Sequence, residues 1–434
     1  MNNQSKTHGL SRRDFLKTAG ILTVGAAVSS VFGSTAAAAS PKIKSKRLIS
    51  ANSTINYAVI GIGQMGFAHL GILKDMEIDQ NIKVVAICDL YGKRKKQGQA
   101  RADLPENSTY GDYRRMLERK DIDVVVIATP EHSHARLAID ALDSGKHVYC
   151  EKPMSRYLDE GFAIRDAVKR NNRVLQVGSQ ACSDLVWQKA AEKVKLGQIG
   201  RLIWAQTSFC RNEPTGEYNY SIEPEANDHT VDWRMWLGDA PKHPWDPERF
   251  FRWRKYWDYS SGLIGDRWPH KISPLLLGMA CTEFPSSVCC MGGNLCDTDK
   301  GYARRRDIQD MANVLVQFPS GTMVFMAASS SNEYGIEDLI RGQKANLLIG
   351  SGRLLLQPER PFSEDIEPDE ITMDASGGTH QDHHLNLIHA LRTGTEPSCN
   401  VDLALRSQVI LAMAERSYRE KRMVFYDNAL RRIT

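Results

Sequence analysis

The strongest constraint on this chain is a six-residue turn, Gly61-Ile62-Gly63-Gln64-Met65-Gly66. It sits between an apolar run over 55–60 and a helical pattern carried by Met65, Ala68, His69, Ile72 and Leu73. Each glycine of a G-x-G-x-x-G turn has its own physical reason. The first permits a tight turn, the second lets a pyrophosphate approach the backbone, and the third lets helix and strand pack closely. Amide N–H groups at the helix start then face the phosphates. Further short apolar runs stand at 84–88, 124–128, 147–150 and 174–177, with helical segments expected near 64–75, 92–102, 112–118, 133–144 and 158–171. The runs lack polar alternation, as expected for parallel strands covered on both faces. The alternation predicts an α/β fold with a Rossmann-type, doubly wound parallel sheet. The turn predicts dinucleotide binding by Gly61, Ile62, Gly63, Gln64, Met65 and Gly66.

Asp89 closes the second apolar run, where an acid can accept from both ribose hydroxyls and would repel a 2′-phosphate. The expected cofactor is therefore NAD. The basic run Lys93-Arg94-Lys95-Lys96 keeps NADP as the alternative, unless it is simply a solvated helix face.

The rhythm changes after Gln180. A helix is expected at 184–196, a strand at 202–209, then a loop-rich stretch over 210–262 that holds five of the eight tryptophans. Strands at 312–318 and 322–328 flank the turn Pro319-Ser320-Gly321, with more at 345–349 and 353–357 and helices at 380–393 and 402–419. This reads as a C-terminal α+β domain with an open, mostly antiparallel sheet. A length of 434 residues suits two domains. The expected division is 54–180 for the Rossmann domain and 181–434 for a substrate and oligomerisation domain.

The first forty residues read as an address. Ser11-Arg12-Arg13-Asp14-Phe15-Leu16-Lys17 precedes an uncharged stretch rich in Ala, Gly and Val that ends in small residues over 34–40. That is the layout of a twin-arginine signal peptide, followed by a linker at 41–53. An uncleaved anchor is the bland alternative, disfavoured by the Gly and Ser content. The expected location is periplasmic, with the twin-arginine translocase as partner during export and no stable membrane insertion afterwards. This route carries folded proteins, so a dinucleotide enzyme would have to bring its cofactor with it. Tight cofactor binding is expected on that ground.

Composition excludes several classes. The formal net charge is only +4, part of it in the first fifty residues, so no nucleic-acid partner is expected. Nine cysteines without a C-x-x-C pair read as buried and mostly free. His380, Asp382, His383 and His384 crowd one helix start but complete no ligand set, so no metal is expected.

Glu151-Lys152-Pro153 directly follows the run 147–150, and Thr129-Pro130 with His134 follows 124–128. With the glycine turn, these resemble the glucose–fructose oxidoreductase/inositol dehydrogenase/MocA (Gfo/Idh/MocA) family. The resemblance extends through Asp232-Trp233-Arg234-Met235-Trp236-Leu237-Gly238, residues 262–270 and Arg392-Thr393-Gly394. It implies a Rossmann domain plus a C-terminal α/β domain, whose open sheet often forms a homo-oligomer interface. It implies chemistry on sugars, polyols or their derivatives. It adds Thr129, Pro130, His134, Glu151 and Lys152 to the cofactor site. It places Lys152 beside the nicotinamide and the reacting carbon, and makes Asp266 and His270 the family's Asp-x-x-x-His pair.

On that reading the i, i+4 spacing puts Asp266 and His270 on one face of a helix turn. His270 serves as the base, Lys152 steadies the substrate oxygen, and Asp266 orients the base or binds a hydroxyl. Two departures stand out. Pro269 sits where the family often has a small or apolar residue, and Ala181-Cys182 where it often has a basic one. The tryptophan-rich segment 233–257 would offer apolar faces to sugar rings or simply pack its own loop. The leading function is an NAD(P)-dependent oxidoreductase. The first alternative is an NAD-dependent glycosidase working by transient oxidation and elimination, a group in which the Glu-Lys-Pro lysine becomes apolar. The second is a non-catalytic nucleotide-binding protein.

Overall fold

Five apolar segments in the first half, buried along most of their length, and the short edge strand Thr109–Tyr110 form one parallel sheet. The computed structural model describes residues 49–434 apart from 51, 215, 296–305 and 374–376. The expected signal peptide and most of the linker at 41–53 lie outside the described residues. The first strand, β1 (Ile55–Ile60), pairs in parallel with β2 (Ile82–Cys88) and β4 (Val124–Ile127). β3 (Thr109–Tyr110) borders β2, and β5 (His147–Cys150) and β6 (Leu175–Val177) continue beyond β4. The order β3-β2-β1-β4-β5-β6 places the crevice between β1 and β4, where the direction of winding reverses.

The connecting helices are α1 (Gln64–Gln80), α2 (Gly92–Ala102), α3 (Tyr113–Leu117), α4 (Glu131–Asp143) and α5 (Leu158–Asn171). α1 runs past the expected end at 75 and stops where Asn81 turns left-handed at φ 50°. α4 starts earlier than the expected 133, because Pro130 is its N-cap and Glu131 already lies in the first turn.

The second half begins with α6 (Leu185–Lys195) and the long strand β7 (Leu202–Asn212). Short helices follow: α7 (Trp233–Leu237), α8 (Pro247–Phe251), α9 (Leu263–Asp266) and α10 (Pro269–Gly278). The sheet then gains β8 (Ser287–Gly293), β9 (Met311–Gln317), β10 (Met323–Ser329), β11 (Ser331–Asn332), β12 (Asp338–Gly342), β13 (Ala345–Gly350), β14 (Arg353–Pro358) and β15 (Asp369–Thr372). Last come α11 (His380–Thr393), α12 (Val401–Glu420), β16 (Val424–Asp427) and β17 (Arg432–Ile433).

The sheet order is β15-β14-β13-β12-β7-β10-β9-β8-β16-β17, with β11 paired to β7. Its pairs are antiparallel except β7 with β10, which are parallel. On β9, Ala312, Val314 and Val316 face the helix-covered core, while Leu315 on the opposite face is 46% exposed. The described cysteines are all free, Cys88 and Cys150 among the buried ones. No helix among the described residues is long and apolar enough to cross a membrane.

Candidate active site

The ends of β1, β2, β4 and β5 open into a cleft of about 1130 Å³. Its floor is the glycine turn. Gly61 has φ 85°, and a Cβ there would stand 2.8 Å from Ala128 O. A Cβ on Gly66 would stand 1.7 Å from Gly61 O, so strand and helix meet only because it is glycine. A Cβ on Gly63 would meet nothing closer than Arg94 Nη1 at 3.7 Å, which leaves the cleft side open to a ligand. Gly63 is the N-cap of the 17-residue helix α1 and supplies no side-chain cap. The first-turn amides therefore remain for phosphate oxygens. Gly61, Ile62, Gly63, Gln64 and Met65 line the cleft, and Gly66 is buried behind them. These residues fit the pyrophosphate of a dinucleotide.

Asp89 also lines the cleft, but it does more than wait for a ribose. Its Oδ2 accepts from the Ile62 N–H at 2.6 Å and its Oδ1 from the Tyr91 N–H at 2.7 Å. It thereby braces the glycine turn. Each carboxylate oxygen retains a lone pair for a hydroxyl donor. Burial raises its pKa, against the opposing pull of Arg94. The basic run divides. Lys93 reaches Glu223 at 2.6 Å and Glu225 at 2.5 Å, whereas Arg94 lies over the rings of Phe250 and Phe251 in the cleft wall.

The Thr-Pro turn behaves differently from expectation at one position. Thr129 and Pro130 line the cleft, but His134 is buried and not in its wall. Its ring nitrogens stand 2.8 Å from Pro153 O and 2.8 Å from Thr129 O, so it staples the two turns together instead of touching a cofactor. The neighbour that does line the cleft is His132, whose Nε2 meets Trp236 O at 2.8 Å. Burial pushes His132 down to about 4.

Glu131 was not legible from sequence. It is buried, accepts from Ser260 Oγ at 2.6 Å and from the Ser261 N–H at 3.2 Å, and so ties α4 to the chain leading into α9. Burial raises its pKa to about 7.

Glu151 and Lys152 lie side by side in the cleft wall. Lys152 Nζ donates to Asp266 Oδ1 and to Asp266 O, both at 2.7 Å. Asp266 also receives Arg254 Nε at 3.1 Å and faces Arg267 Nε at 3.2 Å. Burial works against its ionisation, but Lys152, then Arg254 and Arg267, hold the carboxyl well below the usual range. Arg267 is in turn paired with the buried Glu217. Two of the three Nζ–H groups of Lys152 are thus taken by Asp266 and one remains for a substrate oxygen, and Asp266 orients the lysine rather than the histidine.

The single helix turn expected for Asp266 and His270 is replaced by two helices. Asp266 ends α9 and His270 follows Pro269 at the start of α10. Pro269 lacks an N–H to continue the first helix, but it suits the first turn of the next. Neither residue lines the cleft. Burial first, and the Lys152 charge second, push His270 down to about 3. It stands neutral beside Phe209, ring centroids 6.1 Å apart.

The tryptophan-rich segment closes the cleft's adenosine side. Val231 bridges Tyr91, the Asp232 N–H donates to Leu90 O at 3.0 Å, and the Gly92 N–H donates to Thr230 O at 3.1 Å. Trp233 and Trp236 stack at 4.7 Å within a buried cluster that includes Tyr91, Phe250, Phe251 and Tyr259. Packing is therefore their main role, though Trp236, Trp253, Arg234 and Arg254 also line the cleft. Two residues of the histidine-rich helix start make structural contacts. Asp382 completes a capping box with Thr379, and His383 meets Val177 O at 2.8 Å.

Residues 55–179 match the family model described as oxidoreductase family, NAD-binding Rossmann fold, of the Gfo/Idh/MocA group. Residues 209–290 match the model of that group's C-terminal α/β domain. Among curated proteins, the chain is 27% identical over 242 residues to the α-N-acetylgalactosaminidase of Shewanella oneidensis, covering 53% of this chain and 51% of that one. The match thus spans about half the length of such relatives. Among solved structures, the fold is similar to the WlbA dehydrogenase from Bordetella pertussis in complex with NADH and UDP-GlcNAcA. The TM-score is 0.65 at 20% identity, covering 86% of this chain and 99% of that one. It is also similar to the aldose-aldose oxidoreductase from Caulobacter crescentus, with TM-score 0.64 at 20% identity, covering 86% and 99%. At such identity these likenesses speak to the fold.

Proposed function

We propose that this chain, by its two domains an oxidoreductase of the Gfo/Idh/MocA family with an NAD-binding Rossmann domain, acts on a sugar, polyol or sugar derivative. The observation that carries the reading is the Lys152–Asp266 contact, 2.7 Å, made at the cleft between the dinucleotide turn and the second domain. NAD supplies the hydride acceptor or, reduced, the donor. Lys152 binds the substrate oxygen with the Nζ–H that Asp266 leaves over, and steadies the negative charge that develops there. Asp266 and Arg254 fix the lysine in place. His270, held neutral, packs beside Phe209 outside the cleft wall. Tyr220, Trp253 and Arg254 offer the polar and aromatic wall a sugar needs.

The segment clamped over Tyr91 supports a cofactor that is retained rather than exchanged. That in turn suits export of a loaded enzyme through the twin-arginine route to the periplasm. The apolar open face of the second sheet suits a homo-oligomer. The glycosidase reading draws its support from relatives named as glycosidases. Lys152 favours plain redox chemistry over it.

One experiment separates these readings. Protein purified without added nucleotide is assayed for bound NAD, then given a panel of sugars and nitrophenyl glycosides while nicotinamide absorbance and aglycone release are both followed. Absorbance change with sugars, lost in Lys152→Ala, is expected. Aglycone release without net reduction would replace the dehydrogenase reading with the glycosidase one. Full activity in Lys152→Ala would remove the site assignment.

A further inference from the structure

Beneath the cleft lies a chain of buried groups that neither the glycine turn nor Lys152 accounts for. His69, on α1, is buried and both its ring nitrogens are engaged. Nε2 stands 2.9 Å from Glu151 Oε1, and Nδ1 stands 3.0 Å from Nε2 of His384 on α11. His384 stacks on Tyr149 at 4.6 Å. Its Nδ1 is buried and has no hydrogen-bond partner among the described residues. Glu151 connects this chain to the cleft.

The bonding order says what each group does. Burial keeps His384 neutral. With its hydrogen on Nε2 it donates to His69 Nδ1, which leaves His69 Nε2–H to donate to the Glu151 carboxylate. Burial alone would raise the Glu151 carboxyl. The His69 hydrogen bond comes first among the effects that outweigh burial, with Lys152 behind it, and the carboxyl is drawn below its ordinary range. The anion therefore persists inside the protein because of a residue on the helix that the glycine turn begins.

Its position gives that anion a role. The pyrophosphate belongs at the β1 turn and Asp89 marks the adenosine side over β2, so the nicotinamide half falls over the ends of β4 and β5. Glu151 directly follows β5. A nicotinamide ring is cationic when oxidised and neutral when reduced, so a fixed negative charge nearby favours the oxidised form.

We propose that His69 is a positioning residue that sets the redox poise of the bound cofactor, by holding Glu151 as an anion beside the nicotinamide. The inference rests on NAD occupying the cleft and is independent of the substrate. His69, Glu151 and His380 also bring three potential ligand atoms within 4.8 Å of one another, the outline of a cation site. Both His69 nitrogens are already used, however, so an ion would have to displace the bond to Glu151.

The test is the midpoint potential of the bound nicotinamide, titrated at pH 7 in the NAD-loaded protein. His69→Leu removes the donor and lets Glu151 take up a proton, while Glu151→Gln deletes the charge at constant shape. Each is expected to shift the bound NADH/NAD ratio roughly tenfold at fixed potential, about 30 mV upward for a two-electron couple. The double variant should shift no further than either, and His69→Gln, which still donates, should stay near the parent. An unmoved potential in Glu151→Gln or His69→Leu, an additive double variant, or one equivalent of divalent metal in the parent protein would overturn the proposal. Absence of bound or bindable NAD shows before any titration and counts against the cofactor reading itself.

Discussion

Lys152 and Asp266 lie 114 positions apart in the sequence, and each is nearly closed off from water, with side chains 8% and 4% exposed. Removing one partner of such a pair strands the other. Asp266→Asn would leave Lys152, Arg254 and Arg267 facing a neutral amide, and should cost about 3 kcal/mol at pH 7 in urea denaturation. The pH dependence follows from the sign of the shift. Asp266 has a folded pKa held below its unfolded one, so its contribution is complete above the ordinary carboxylate range, about 4. It is lost as pH falls through the lower folded value. The variant should therefore lack that part of the acid slope, and an unchanged slope would mean the carboxylate is not held as described. Single residues were legible from sequence where local sterics select them. Gly61 and Gly66 are such cases, because no Cβ fits. His69 and Glu131 were not, and His384 stood out only as one of a crowd of histidines, because their partners are 82, 129 and 315 positions away.

Elements follow the same rule of locality. Strands with an unbroken apolar or alternating run, such as β1, β5 and β9, stand within a residue of where the sequence puts them. β8 went unread because its Cys-Cys-Met-Gly-Gly end carries little β preference, and β15 because Asp369 and Glu370 open it with charge. Both lie far from the sheet centre, where pairing rather than composition decides. The sheet's open face makes its own demand. Leu315 is 46% and Met323 38% exposed, on the adjacent strands β9 and β10, and Trp204 lies on β7 beside β10 with Arg341 3.6 Å above its ring. Apolar side chains across paired strands are what a subunit contact would cover. Leu315→Glu combined with Met323→Lys should lower the mass seen in sedimentation to that of one chain while leaving the helical signal intact. An unchanged mass would place the contact elsewhere or remove it.

At the scale of the molecule, the two domains meet over the cofactor cleft. The Rossmann half supplies a site that fits a dinucleotide, and the segment from Tyr218 to Tyr259 folds back on it through Tyr91, Lys93 and His132. If the cofactor is retained as proposed, it has to be loaded before export. An exporter of unfolded chains would deliver it empty into a compartment without free nucleotide. An exporter of folded proteins would not, and the Arg12-Arg13 pair is the residue-level reason to propose that route. In a host with the twin-arginine translocase, the parent protein should appear in the periplasm with NAD bound. Arg12→Lys with Arg13→Lys should remain in the cytoplasm, folded and equally loaded. Equal periplasmic levels of the two would refute the export route. Periplasmic parent protein that carries no nucleotide, yet binds NAD readily when it is added, would leave the route standing and show that the clamp over Tyr91 does not retain what the glycine turn binds.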